Sequence, residues 1–163
     1  MITPSEICNH TCNEAEAPTP VVSSKQPVLK RSTRVKGFVE NIEKLTVEND
    51  NYRKVLYTGK HMQLVLMTLQ PGEEIGAEVH EGHDQFFRIE EGKGRVTIDD
   101  NTYDVEDDDA IIVPAGARHN VVNTGSEPLR LYTLYGPPEH REGVLHPTKA
   151  DESEEHFDGT TTE

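Results

Sequence analysis

The chain has 163 residues, of which 33% are hydrophobic and 28% charged, with a formal net charge of −14. That length makes one domain the default, and the polarity implies that part of the chain does not pack. So acidic a chain would be repelled by nucleic acid or an anionic membrane, and no apolar run approaches the roughly 20 residues that cross a bilayer, so neither partner is expected and the expected address is cytoplasmic.

Residues 1–35 mix Pro4, Pro18, Pro20 and Pro27 with Ser, Thr and Glu and show no periodicity, which predicts a disordered N-terminal tail. Cys8 and Cys12 both lie in it, so no disulfide can staple the remainder of the chain, and with His10 they lack the fourth ligand of a structural zinc site. Lys25, Lys30, Arg31, Arg34 and Lys36 form a loose basic run opposite in sign to the rest of the chain, expected to rest on the acidic domain. After Gly37, the mixed spacing of Phe38, Ile42, Leu45 and Val47 predicts an entry strand with a short turn.

Residues 36–136 are read as the folded domain. Lys54 to Tyr57 ends at Thr58-Gly59, and His61 to Leu69 is apolar on both alternating faces, as befits a strand covered on both sides. Beyond Pro71-Gly72 come Glu78–His80, Asp84–Glu90, Gly94–Ile98, Thr102–Val105, Ala110–Val113, His119–Asn123 and Leu129–Tyr135, mostly separated by Gly, Asn, Asp or Pro. Many short strands and no long amphipathic helix predict an all-β sandwich or closed barrel. Residues 137–149, with His140 and His146, are expected to form an extension able to fold back over a barrel mouth, and residues 150–163 a disordered acidic tail.

Strand parity then sorts the polar residues. Glu78 and His80 share a face; Gln85 shares one with Phe87 and Ile89, opposite the water-seeking Arg88 and Glu90; His119 opens a strand beyond the Pro114-Ala115-Gly116 turn. Glu78, His80, Gln85 and His119 therefore aim inward. Burying them unpaired would cost about 1–3 kcal/mol each, and more for a charge, which a bound divalent metal would offset. Two imidazoles and a carboxylate suit iron and equally manganese, nickel or zinc, with Gln85 as a fourth ligand or an orienter of bound water. The alternative is a hydrogen-bonded polar core without metal. By the same parity His83 falls on the face away from His80 and reads as a surface histidine. Of the arginines weighed as anion binders, Arg88 and Arg130 face away, leaving Arg118 near the mouth.

These residues stand at spacings that resemble the cupin superfamily. Gly72 leads by five residues to Glu78-Val79-His80, and Gln85 leads by six to Gly92; Pro114, Gly116, His119 and Asn123 fill the second motif, with Asp108 where the family has glycine. Glu78 replaces the first motif's first histidine and Gln85 its glutamate. The resemblance covers about residues 37–136 and is nearest to small single-domain cupins akin to mannose-6-phosphate isomerase. It implies a double-stranded β-helix, or jelly-roll barrel, and a metal-dependent, isomerase-like chemistry on a small polar molecule. A non-haem iron dioxygenase and a non-catalytic ligand-binding module are the other readings. Cupin relatives commonly pair, so a homodimer is expected, with Phe86, Ile112 and Leu134 supplying its surface.

Overall fold

The computed structural model describes residues 36–163. The expected N-terminal tail, with Cys8, Cys12 and nearly all of the basic run, lies outside the described residues. Helix α1 (Ile42–Val47) is followed by β1 (Arg53–Thr58), β2 (Gln63–Leu69), β3 (Glu78–Val79), β4 (Asp84–Glu91), β5 (Lys93–Ile98), β6 (Asn101–Glu106), β7 (Ala110–Val113), β8 (Arg118–Asn123), β9 (Leu129–Gly136) and β10 (Leu145–His146). All pairings are antiparallel, in a six-stranded sheet ordered β10-β1-β2-β9-β4-β7 and a four-stranded sheet ordered β3-β8-β5-β6.

The two sheets face each other across one apolar interior. Val65, Met67 and Leu69 of β2, Phe87 and Ile89 of β4, Val121 of β8 and Leu129 and Leu131 of β9 are fully buried in one cluster. Alternation works as expected on these strands, because one face of each is closed by the opposite sheet. β2 is buried on both faces, and on its outer side the Thr68 hydroxyl donates to the Asn49 carbonyl, 2.7 Å away.

The turns explain several glycines and one departure from the family pattern. Gly92 has φ +101°, and a Cβ there would stand 2.7 Å from the Pro128 carbonyl oxygen. Asp108, at the position where the family has glycine, has φ 74°. Aspartate is among the few residues that enter the left-handed region at modest cost, and its carboxylate also accepts from the Arg88 guanidinium, so the turn survives the substitution. Asn123 ties the second motif to the frame, its amide donating to the carbonyls of Leu69 and Glu127, each at 2.8 Å.

Two expectations are corrected. Residues 42–47 form a helix rather than an entry strand. Asn41 caps it by accepting from the Lys44 backbone N–H at 3.0 Å, and Ile42, Leu45, Thr46 and Asn49, at i, i+3, i+4 and i+7, turn to the sheet. The polar members of that stripe, Thr46 and Asn49, are the ones most deeply buried, so an apolar periodicity did not announce it.

Residues 150–163, expected as a disordered acidic tail, are ordered against the barrel. The backbone groups of Thr58 and Thr162 pair, the Thr58 N–H also donates to the Thr162 hydroxyl at 2.8 Å, and Phe157 and Glu155 bond the backbone of Glu139 and Arg141. The carboxylate of Glu152 meets Arg53 at 2.8 Å. Composition suggested disorder, yet this segment finds backbone edges and a buried cation far away in sequence. Residues 137–149 are fixed in turn by Gln63, whose side chain donates to the His140 carbonyl at 2.6 Å and accepts from the His140 N–H at 2.9 Å. No helix among the described residues is long and apolar enough to cross a membrane.

Candidate metal centre

The mouth of the barrel gathers side chains from strands distant in sequence. β3 and β8 pair with Glu78 opposite His119, and His80 follows immediately where β3 ends. Ligand atoms of Glu78, His80 and His119 all lie within 4.8 Å of one another. Glu78 Oε2 is 3.4 Å from His80 Nε2 and 4.0 Å from His119 Nε2. All three of these atoms are buried and none has a hydrogen-bond partner.

The imidazoles are oriented from behind. His119 Nδ1 sits 3.2 Å from the Ala117 carbonyl, so it donates there and Nε2 carries its lone pair toward Glu78. His80 Nδ1 faces Glu139 Oε2 at 3.9 Å. Burial holds the His119 pKa below its usual value, the form a metal needs, while the adjoining Glu78 carboxylate holds that of His80 above it. Phe87 and Tyr135 enclose the site, Tyr135 meeting His80 edge to face at a ring separation of 5.7 Å.

Gln85 is also buried, on the inward face of β4. Its amide nitrogen donates to the Thr133 hydroxyl at 3.1 Å, and its carbonyl oxygen is the fourth unpartnered polar atom among these residues.

His83, assigned by parity to the far face, instead lies beside His80. Its Nε2 is 3.3 Å from Glu139 Oε2, and the two rings are 5.8 Å apart. β3 ends at Val79 and residues 80–83 form a turn, so strand alternation does not govern His83. Glu139 thus faces His80, His83 and His156, the last at 3.1 Å, and His80, His83 and Glu139 are a second group able to share an ion.

Arg118, expected near the mouth, is exposed on the face opposite His119. The arginine in the site is Arg53, 2% exposed, which shares the inward face of β1 with Val55. That alternation could have revealed it. Glu139 and Glu152 carried no comparable signal, because neither belongs to a periodic segment. An open cavity of about 470 Å³ is lined by Glu78 and His80 of the triad together with Arg53, Glu139, His140 and Glu152. Burial, aided by the Arg53 charge, pushes the His140 pKa down to about 3, so this histidine is neutral.

Two facing antiparallel sheets with a histidine and carboxylate cluster at the mouth define a small β-barrel protein with a candidate metal site. The chain belongs to the cupin family: residues 65–135 match the cupin domain. It is 50% identical over 122 residues to the uncharacterised protein YrkC of Bacillus subtilis, covering 71% of this chain and 66% of that one. An uncharacterised protein of Acanthamoeba polyphaga mimivirus is 37% identical over 112 residues, covering 66% of this chain and 70% of that one. A crystal structure from Bacillus halodurans superposes with a TM-score of 0.69 at 48% identity, covering 70% of this chain and 91% of that one.

Proposed function

We propose that the chain is a metal-dependent cupin acting on a small polar molecule, with Glu78, His80 and His119 as ligands of one divalent ion and Gln85 as a fourth ligand or orienter of bound water. The observation that carries this reading is the convergence of three buried, unpartnered ligand atoms, Glu78 Oε2, His80 Nε2 and His119 Nε2. Without a cation His119 Nε2 would represent a lost hydrogen bond of about 1–3 kcal/mol, a cost natural interiors avoid, while Glu78 Oε2 and His80 Nε2 would have only each other, 3.4 Å apart. Manganese, iron, zinc and nickel all suit two imidazoles and a carboxylate.

A divalent ion held there supplies Lewis-acid polarisation of a substrate carbonyl or hydroxyl, the chemistry an isomerase-like reaction uses. The chain's own residues do the rest. Ala117 fixes the His119 tautomer, Tyr135 and Phe87 exclude water from the inner side, and Glu139, lining the cavity and bonded to His156, is the carboxylate placed to accept and return a substrate proton. The set of two histidines and one carboxylate also favours a second reading, ferrous iron with dioxygen as co-substrate. Oxygen uptake by iron-loaded protein with small phenols and thiols separates the two.

Metal analysis of protein purified without chelator tests the main reading. Wild type is expected to retain a stoichiometric ion, and His80→Ala and His119→Ala to lose most of it. Equal, negligible metal in all three proteins would end the proposal.

A further inference from the structure

Arg53 has an environment that the metal reading does not use. It is 2% exposed, lines the cavity, and its Nε is buried without a partner. One terminal nitrogen lies 3.9 Å from Glu78 Oε1, which puts the cation directly beside the triad. Its strong partner comes from the C-terminal segment: Glu152 Oε1 at 2.8 Å. The same carboxylate lies 3.3 and 3.4 Å from the Tyr52 hydroxyl and 4.0 Å from Lys149 Nζ. A guanidinium, a phenol and an ammonium therefore form an anion cradle at the edge of the cavity, and the chain's own carboxylate occupies it.

We propose that this cradle is the substrate's carboxylate subsite and that Glu152 is its placeholder, displaced when a small carboxylate enters. The proposal deepens the metal-dependent reading and rests on it for the chemistry, since the carboxylate would dock beside the ion and offer it a neighbouring oxygen; binding at Arg53 does not need the ion.

Three observations favour this occupant. The cation stands on β1 with strands paired on both sides of it and a side chain 3% exposed, whereas the Glu152 side chain is 30% exposed and follows a three-residue 3-10 turn, Lys149–Asp151. The carboxylate is thus the side of the pair that reaches solvent. Exchanging one carboxylate for another leaves the local charge unchanged, while a phosphate dianion would add charge among Glu78, Glu139, Glu154 and Glu155, which line the same cavity. The guanidinium fork also matches a planar carboxylate.

The test uses full-length protein stripped of metal and dialysed free of chelator, with acetate as the probe. Glu152→Gln removes the placeholder's charge and keeps its shape. Glu152→Gln is expected to melt below wild type and to be restored saturably by acetate, with an apparent Kd roughly tenfold or more below that for wild type, where Glu152 must first leave. Sodium chloride at equal ionic strength should not restore it, and inorganic phosphate should do so less well. Adding Arg53→Lys to Glu152→Gln should abolish the acetate effect, and adding Lys149→Gln should weaken it even if the Arg53 variant does not fold. Absence of a saturable acetate effect in Glu152→Gln, an equal affinity in wild type, or a phosphate effect exceeding that of acetate would overturn the proposal. Acetate binding by the stripped protein, together with negligible metal in protein purified without chelator, would leave the subsite standing and remove the metal reading, so the two fail separately.

Discussion

At the scale of single residues, the site is set by what surrounds each titrating or turn-forming group. His140 is half-buried, with its Nε2 enclosed, and neutral, its pKa near 3 against 6.5 for an exposed histidine. Between those values the unfolded chain binds the proton that the fold refuses, so stability falls as pH drops below about 6.5. Urea unfolding of the metal-free protein should show His140→Gln losing about 1–2 kcal/mol less than wild type between pH 6.5 and 5. An identical loss in both proteins would mean that His140 protonates without penalty. Gly92 presents a backbone constraint instead. Gly92→Ala must place a side chain at φ +101° against a carbonyl 2.7 Å away, so urea denaturation should register a loss of roughly 1–3 kcal/mol. Both residues illustrate what spacing can convey. The motif glycine was legible because only a residue without Cβ fits such a turn, whereas the neutrality of His140 depends on burial under residues far away in the chain.

At the scale of elements, β3, β8 and the C-terminal segment make the site. Glu78 and His119 were legible because both stand on strands whose alternation holds. Parity misplaces His83 because the turn after Val79 breaks that alternation, and α1 escapes periodicity because its buried stripe is partly polar. The acidic segment 150–163 presents the sharpest contrast. Its composition is that of a solvated tail, yet Glu152 neutralises a buried arginine and Thr162 pairs with the edge of β1. Ending the chain after Ala150 should therefore lower the melting temperature by several degrees, because Arg53 would lose its principal partner. A truncated protein that melts with wild type would show that these contacts contribute nothing.

At the scale of the whole molecule, the outer face of the six-stranded sheet is apolar along a row. Leu64, Leu134, Phe86 and Ile112 stand opposite one another on β2, β9, β4 and β7, and Ile112 is 70% exposed. A row of this kind across four paired strands is a natural surface for a second copy of the chain, and a homodimer is proposed through it. Light scattering at micromolar concentration should give twice the chain mass for wild type and the monomer mass for Ile112→Glu. A monomeric wild type would refute the pairing.

The sequence by itself determined the barrel and nominated Glu78, His80, Gln85 and His119 as candidate ligands, because a strand's period of two and a turn's need for glycine are local rules. Only the tertiary structure decided that Arg53, Glu139 and Glu152 join them, that His83 turns inward, and that the acidic end is ordered. Those placements depend on long-range electrostatic and backbone pairing, which composition and periodicity do not encode.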